Sequence, residues 1–365
     1  MSNITFKDIL NSHGHWSLKL FKLADYFFGF LIAFLLPKQN SRLSFNSPIK
    51  KILVIRPGGI GDAVFLLPIF KLLKAKGVMI DVLCEPRNFE IFSSQDYPVY
   101  FYNRLNSLKQ VMNNVYDVVI DTEQWHYLSA ICSYFVKAKY RIGFATRPLR
   151  AKLFNQQVSY GEGDYELENF LRLFEKLFHE GSDIKNINDC FEVTSQMRNW
   201  AIGQITENSV IVFLGASIAL RRFTREQSEK IIHSLLQKGV QPVFLGGVDV
   251  KIIADQIVSQ INDSRVLNFV GRTNLMESAA LIQRARGFIG HDSGLMHLAC
   301  AVGTPVVAIF GPGNLRKWQP MGKKHHIVSG YVSCSPCTKF GYTIPTCKGT
   351  YHCVRDIKKF GEINE

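Results

Sequence analysis

The chain has 365 residues, of which 47% are hydrophobic and 20% charged; this composition excludes a disordered or fibrous chain and allows two globular domains. Lys and Arg number 43 against 30 Asp and Glu, giving a formal net charge of +13. An anionic partner is therefore expected: a nucleic acid, a phosphorylated metabolite or an acidic membrane surface.

The first predicted element is an apolar, aromatic helix over 16–36. Lys19, Lys22 and Asp25 interrupt it, leaving twelve uncharged residues between Asp25 and Lys38. That stretch is shorter than the roughly 17–25 residues that span a bilayer, and no small-residue cleavage site of a secretory signal follows it. We predict a helix in a membrane interface or docked on the protein; the alternative is an ordinary packing helix covering a domain face.

From residue 51 onward, short apolar strands alternate with helices, which predicts parallel sheets covered by helices on both faces. In the first half we predict a helix at 63–77 and strands at 51–55, 79–84, 116–122 and 140–144. After a polar connection over 181–207 the second half has predicted strands at 209–215, 241–247, 266–271, 287–290 and 305–311. Its predicted helices cover 224–238, 250–262, 274–285 and 295–303.

This alternation predicts an α/β fold of two Rossmann-like, doubly wound domains facing each other across a cleft, with ligands at the carboxyl ends of the strands. The predicted divisions are an apolar N-terminal extension, a first Rossmann-like domain, a second one and a cysteine-containing C-terminal segment. Their bounds are 1–48, 49–190, 191–330 and 331–365.

The loop after the first strand contains Gly58, Gly59 and Gly61, which let the backbone approach a ligand closely. It does not complete a dinucleotide-binding fingerprint, because Val64 occupies the third glycine position and Asp62 would repel a pyrophosphate. A carboxylate at the head of a helix can accept a proton from an incoming hydroxyl. Asp62 is therefore a candidate general base, and the alternative is a helix-capping aspartate.

Arg221 and Arg222 follow the first strand of the second half. Paired guanidinium groups at the carboxyl end of a strand are suited to binding a phosphate through forked hydrogen bonds. The alternative is solvated surface charge.

A second anion site is predicted in the sequence GHDSGLMHLAC at 290–300. The turn of Asp292, Ser293 and Gly294 precedes a short helix, so the backbone N–H groups from Ser293 to Leu295 would bind an anion at its positive end. His297 lies one turn along and can add a donor. The alternatives are that Asp292 or Ser293 caps the helix and that His297 is a core histidine.

Three segments in this order resemble glycosyltransferase family 9, the ADP-heptose:lipopolysaccharide heptosyltransferases. They are ILVIRPGGIGDAVFLLPIFKLLK (52–74), FLGASIALRRFT (213–224) and IGHDSGLMHLACAVGTPVVAIFGPGNLRKWQP (289–320), and with the C-terminal CSPC the likeness covers about residues 50–357. The resemblance implies a GT-B fold with the acceptor bound by the N-terminal half and the nucleotide-sugar donor by the C-terminal half. It also implies an inverting transfer that requires no metal.

The resemblance assigns roles to individual residues. Asp62 matches the proposed base of the family's GD motif, and Arg221, or its neighbour Arg222, stands where relatives carry a phosphate-binding lysine. Phe223-Thr224 replaces a more usual Trp-Pro, and the extension before the first strand has no counterpart. The family's D-[TS]-G-x-x-H donor site is matched by Asp292, Ser293, Gly294, Leu295 and His297.

The resemblance further implies ADP-heptose as donor, a phosphorylated lipid A–core acceptor, no nucleic-acid partner, and a cytoplasmic enzyme peripheral at the inner membrane. Alternatives are another nucleotide sugar, a protein acceptor, or a non-catalytic membrane-associated scaffold. A nucleotide-dependent oxidoreductase would share the sheets, but the complete glycine fingerprint that would favour it is missing.

Four cysteines lie within twenty residues near the C-terminus: Cys334, Cys337, Cys347 and Cys353. Four thiolates at such spacing could hold a structural zinc or iron tetrahedrally. The set also resembles a cysteine cluster of many family members, some of which carry iron. Free thiols or a redox-sensitive pair are the alternatives, and stable disulfides are not expected in a cytoplasmic protein.

Overall fold

The computed structural model describes residues 16–40, 48–178, 182–216, 221–330, 332–339, 342–343 and 352–355. The chain divides into two compact units, Met1–Lys185 and Asn186–Glu365, here called unit 1 and unit 2. Each unit contains a six-stranded sheet.

The strands of unit 1 are β1 (Lys51–Arg56), β2 (Met79–Cys84), β3 (Val99–Phe101), β4 (Val115–Asp121), β5 (Lys137–Phe144) and β6 (Gln156–Val158). They pair in parallel in the order β3-β2-β1-β4-β5-β6. Residues 52–55 of β1 are completely buried, as expected for a parallel strand covered on both faces. The strand order reverses between β1 and β4, and ligands bind at such a switch point in doubly wound sheets.

The helices of unit 1 are α1 (Trp16–Ala24), α2 (Phe30–Leu35), α3 (Ile60–Ala75), α4 (Phe89–Ser93), α5 (Leu105–Asn113), α6 (Tyr127–Phe135), α7 (Pro148–Ala151) and α8 (Glu166–Phe174). A π-helical turn, Asp25–Gly29, joins α1 to α2, so the helix predicted over 16–36 is present. Gly77 follows α3 with φ of +80°, a backbone conformation that glycine adopts without strain when it ends a helix. No helix among the described residues is long and apolar enough to cross a membrane.

Unit 2 repeats the strand pattern of unit 1. Its strands β7 to β12 pair in parallel in the order β12-β11-β10-β7-β8-β9, so the switch point lies between β7 and β10. A two-stranded antiparallel pair, β13 with β14, follows. The strand bounds are β7 (Ser209–Phe213), β8 (Gln241–Leu245), β9 (Leu267–Asn268), β10 (Gly287–His291), β11 (Val306–Phe310), β12 (His326–Ser329), β13 (Thr338–Lys339) and β14 (Tyr342–Thr343).

The helices of unit 2 are α9 (Ser195–Ile202), α10 (Arg225–Gln237), α11 (Lys251–Ile261), α12 (Leu275–Arg284), α13 (Gly294–Ala301), α14 (Leu315–Trp318) and α15 (His352–Arg355). Two of them begin with a capping box, in which N-cap and third-residue side chains satisfy each other's backbone N–H groups. Thr224 and Gln227 form the box of α10, and Asn274 and Glu277 form that of α12. These local signals explain why both helices begin one residue after the predicted start.

The strand predicted over 266–271 is wrong in length, because β9 is only two residues long. The side chain of Asn268 accepts a hydrogen bond from the N–H of Val270, and Gly271 has φ of +68°. A turn closed by the Asn268 side chain therefore replaces further backbone pairing between strands.

Candidate active site

The loop after β1 brings the backbone over a buried arginine. Gly58 has φ of +124°, and a Cβ atom there would lie 2.7 Å from Nη2 of Arg56. Both the conformation and the space require glycine at this position. Gly59 is the N-cap of α3, so the helix begins at Ile60, three residues before the predicted start. Gly61 lies within the first turn.

Asp62 occupies the third residue of α3, and Gly59, not Asp62, is the N-cap. A carboxylate in the first turn interacts favourably with the positive end of the helix. Its Oδ2 lies 3.5 Å from Nη2 of Arg56, and its side chain is 21% exposed. The buried guanidinium of Arg56 thus holds the Asp62 carboxylate, which still reaches solvent. A base that takes a proton from a substrate hydroxyl needs this access to solvent.

Arg56 is anchored from several sides. Its Nε donates to the carbonyl of Pro57 at 2.7 Å, its Nη1 donates to the carbonyl of Thr122 at 3.0 Å, and its Nη2 lies 3.5 Å from Oε2 of Glu123. Burial lowers the pKa of Arg56, but the carboxylates of Asp62 and Glu123 outweigh it, so the pKa is raised. Arg56 is therefore a permanent cation that fixes the position of the Asp62 carboxylate.

Glu123 lies two residues after the end of β4 and belongs to the same network. Its Oε1 accepts the backbone N–H groups of Gln124 at 2.9 Å and Trp125 at 3.0 Å. Burial raises the pKa of Glu123, but His126 and Arg56 outweigh it, so the pKa is lowered and the group stays ionised. Glu123 was not among the predicted site residues. A carboxylate immediately after a predicted strand was the available signal, but only the strand order shows that β4 lies beside β1.

In unit 2, the candidate phosphate-binding arginines lie at the carboxyl end of β7, after residues 217–220, which lie outside the described residues. Nη1 of Arg221 lies 3.0 Å from Oδ2 of Asp292 and donates to the Asp292 carbonyl at 2.9 Å. Arg222 donates to the carbonyl of Ala216 from Nε at 3.1 Å and from Nη2 at 2.9 Å, and it pairs with Asp249. Arg221 thus contacts the turn that follows β10.

The turn after β10 leads into α13 as predicted. Ser293 is the N-cap, and its Oγ accepts the N–H of Met296 at 3.4 Å, so the capping alternative holds for this side chain. The next residues, Gly294 and Leu295, form the first turn. Gly313 passes so close to the acid that a Cβ there would lie 2.2 Å from Oδ2 of Asp292. The backbone of this second loop therefore packs directly on the Asp292 carboxylate.

Two buried histidines flank this turn. His297 is 2% exposed, with its ring centroid 5.9 Å from that of Trp318. His291 is 1% exposed, with its ring 3.8 Å from that of Phe223. Burial, with Arg221 as the next cause, lowers the pKa of each imidazole to about 3, so both are neutral at physiological pH. His291 was not among the predicted site residues.

These histidines are expected to make the protein less stable in acid. The folded-state pKa of about 3 lies below the usual value of about 6.5, so between these pH values the unfolded chain binds protons that the folded chain does not. The free energy of unfolding then falls as pH decreases, by up to about 1.4 kcal/mol per pH unit for each imidazole. Denaturant unfolding at a series of pH values measures this slope.

Histidine variants test the assignment of that slope. His291→Gln removes one buried imidazole and is expected to flatten the dependence below pH 6.5. His233→Gln, in an exposed position on α10, serves as the matched control and should leave the slope unchanged. Equal slopes in both variants would contradict a neutral, buried His291.

A cavity of about 320 Å³ opens beside Arg222 in unit 2. Its walls combine apolar side chains with polar groups, among them the carboxylate of Asp249 and the guanidinium of Arg222. The lining residues are Leu214, Arg222, Phe223, Ser228, Asp249, Val250, Ile252, Ile253, Gln256 and Ile257.

The predicted metal-binding cysteines are only partly described. Cys334 is exposed, Cys337 is half-buried and Cys353 is buried, while Cys347 lies outside the described residues. Within the described part of the chain, no group of three or more metal-ligating side chains is brought together. The three described cysteines therefore do not form a metal site by themselves.

Comparison with known proteins finds similar sequences among heptosyltransferases. Lipopolysaccharide heptosyltransferase 3 of Escherichia coli is 28% identical over 229 residues, covering 60% of this chain and 65% of that protein, slightly less than two thirds of its length. Lipooligosaccharide heptosyltransferase 2 of Haemophilus ducreyi is 26% identical over 311 residues, covering 76% of this chain and 88% of that protein.

The fold is also shared with a solved structure, that of E. coli ADP-heptose lps heptosyltransferase II. The TM-score is 0.64 at 20% identity, with 78% of this chain and 91% of that chain covered. The predicted GT-B architecture of two Rossmann-like domains is confirmed. The model of glycosyltransferase family 9 (heptosyltransferase) matches residues 104–346, about two thirds of the 365 residues, and the chain therefore belongs to this family of glycosyltransferases.

Proposed function

We propose that the protein is an inverting glycosyltransferase that transfers heptose from ADP-heptose to a lipopolysaccharide inner-core acceptor linked to lipid A. The observation that carries the proposal is the switch point of unit 2, where Arg221, Asp292 and the N-terminus of α13 form one cluster. The heptosyltransferase names of the relatives support the choice of sugar.

The diphosphate of the donor is bound by unit 2 in this proposal. The N–H groups at the start of α13 and the guanidinium of Arg221 supply positive potential for the phosphates. His297 is neutral, so one of its ring nitrogens can donate a hydrogen bond without a proton first being taken up. The cavity beside Arg222 suits the nucleoside, with apolar walls for the base and the Asp249 carboxylate for ribose hydroxyls.

Asp62 of unit 1 is the proposed general base. It removes the proton of an acceptor hydroxyl while the hydroxyl oxygen forms a bond to the anomeric carbon of heptose. The bond from that carbon to the diphosphate oxygen breaks on the opposite face, which inverts the configuration and releases ADP. Positive groups around the leaving diphosphate stabilise the charge that develops on it.

Gly58, Gly59 and Gly61 form the proposed acceptor-side loop, in which backbone without side chains lies next to Asp62. The reaction draws on no cofactor, because the base and the electrostatic stabilisation come from side chains and backbone. A structural zinc or iron at the four C-terminal cysteines stays a separate prediction from the sequence, and no step of the transfer is routed through it.

In this proposal the enzyme meets its lipid-linked acceptor at the cytoplasmic face of the inner membrane. The net charge of +13 suits a phosphorylated glycolipid and an acidic bilayer. Transfer of another activated sugar, or transfer to a protein acceptor, would use the same residues. A non-catalytic scaffold would give the Asp292 cluster no function.

Thermal stabilisation by candidate donors tests the proposal without knowledge of the acceptor. A ligand that binds only the folded state raises the apparent stability, by about 2.7 kcal/mol at a concentration of 100 Kd. We expect ADP-heptose and ADP to raise Tm, and UDP-glucose, GDP-mannose and NAD to leave it unchanged.

Each other outcome has a defined meaning. A preference for UDP-glucose or GDP-mannose would retain glycosyl transfer and reject heptose. Stabilisation by none of the nucleotides would reject the donor site and favour the scaffold.

A further inference from the structure

The helical segment 16–36 leaves most of its large apolar side chains exposed. Nine large apolar residues on it are each at least 42% exposed, against seven in all the remaining described residues together. We call these nine side chains the outer face: Leu20, Phe21, Phe27, Phe28, Phe30, Leu31, Ile32, Phe34 and Leu35. Soluble proteins rarely leave so dense an apolar patch uncovered, and such patches mark interaction sites.

The buried positions described in this segment are occupied by small or polar residues. Asp25, Gly29 and Ala33 recur at a spacing of four and are buried. A Cβ on Gly29 would lie 2.9 Å from the Cβ of Tyr127, so only glycine allows the helix to lie this close to α6. The amphipathic pattern is thus inverted relative to a packing helix, which buries its large apolar residues.

Asp25 fixes the segment in this orientation. Its side chain is 4% exposed, and it accepts the N–H of Leu128 at 2.7 Å and of Tyr127 at 3.1 Å, with Nδ1 of His126 also 3.1 Å away. His126, the N-cap of α6, has no capping side-chain bond of its own. Asp25 therefore caps α6 from a distant part of the sequence. Its carboxylate, the single negative charge of residues 16–36, is engaged in this contact.

The remaining charges of the segment are positive. Lys19 and Lys22 lie on α1, and Lys38 is exposed just after α2. Burial, followed by Arg87, lowers the pKa of Lys22 to about 8, so this group is still mainly cationic at neutral pH. From unit 1, Nζ of Lys152 donates to the carbonyl of Phe34 at 3.0 Å. A broad apolar face bordered by lysines is complementary to an anionic lipid surface.

We propose that residues 16–36 form an interfacial anchor that seats unit 1 on an anionic bilayer, with the outer face entering the headgroup region while Asp25 keeps the helix on α6. This inference deepens the proposed function by naming the element that meets the membrane. A second copy of the chain could also cover an apolar face, but it would not account for the lysine border.

Vesicle binding by the full chain tests the anchor. The vesicles contain phosphatidylethanolamine with phosphatidylglycerol, or phosphatidylcholine alone, and no glycolipid acceptor. We expect binding to the phosphatidylglycerol vesicles that weakens as salt rises, with much weaker binding to phosphatidylcholine. Equal binding to both vesicle types, or binding to neither, would overturn the proposal.

A matched pair of variants locates the contact. Phe28→Ser, Leu31→Ser and Leu35→Ser together alter three outer-face side chains and are expected to reduce the vesicle partition coefficient about tenfold or more. The control combines Met79→Ser, Leu105→Ser and Val115→Ser, three comparably exposed apolar residues elsewhere on unit 1. Unchanged binding by the first variant, or equal loss by the control, would overturn the anchor.

Two further readouts separate the possible causes. Sedimentation of the parent in solution should give a monomer; a dimer that the outer-face variant converts to a monomer would assign the face to a second copy instead. Stabilisation by ADP should be the same in parent and both variants, which confirms that they are folded. If ADP does not stabilise the parent protein, that result counts against the proposed function. It does not affect the conclusion drawn from vesicle binding.

Discussion

Asp62→Asn is expected to lower kcat for heptosyl transfer by about 10²–10⁴-fold, the usual contribution of a general base. The amide keeps the size of the side chain but cannot accept the hydroxyl proton. Arg56 retains Glu123 as a charge partner, so the fold should survive. Steady-state kinetics with ADP-heptose and a core acceptor measure kcat, and thermal stabilisation by ADP checks that the donor still binds.

Asp183→Asn is the matched control, because Asp183 is an exposed aspartate of the same unit. Its kcat should equal that of the parent. Full activity in Asp62→Asn would mean that this carboxylate only stabilises the first turn of α3, and the proposed mechanism would be wrong.

Arg221→Met is expected to affect both stability and donor binding. The guanidinium and the Asp292 carboxylate form a nearly buried pair, with side chains 13% and 6% exposed. Removing one partner leaves a buried charge uncompensated, which typically costs about 3–5 kcal/mol. Loss of a charged hydrogen bond to the diphosphate, at about 1.5–3 kcal/mol, should also raise the Kd for ADP by 10-fold or more.

A double variant separates the two effects. Arg221→Met with Asp292→Asn removes both charges, so we expect much of the stability to return while ADP binding stays weak. Denaturant unfolding with and without ADP reports both quantities. If the double variant recovered parental affinity for ADP, Arg221 would be a structural partner of Asp292 and not a phosphate ligand.

Much of the fold was predictable because long apolar strands alternate with helices and because capping residues mark helix starts. The predicted strands at 51–55 and 79–84 correspond to β1 and β2 almost residue for residue. Within the two six-stranded sheets the strands that were not predicted, β3, β6 and β12, have three or four residues and lie at sheet edges; the two-residue strands β13 and β14 were not predicted either. Strands this short carry little periodicity, and their pairing depends on neighbours far away in the sequence.

The candidate site was predictable only in part, because sequence motifs identify loops and not their neighbours. Asp62 and Asp292 were found from strand-to-helix turns. Asp62 pairs with Arg56 and Asp292 pairs with Arg221. These pairings depend on side-chain positions that only the tertiary structure defines. Asp25 shows the same limit, since nothing near it in sequence indicates that it caps α6.

This cap means that the N-terminal segment is not a removable appendage. A chain shortened to begin at β1 would lose the Asp25 carboxylate and expose the N–H groups of Tyr127 and Leu128, at the end of the loop that carries Glu123. Trimming the segment to improve solubility would then loosen the neighbourhood of Asp62. If both proposals hold, the Asp25 carboxylate supports the membrane anchor and the loop beside the proposed base at the same time.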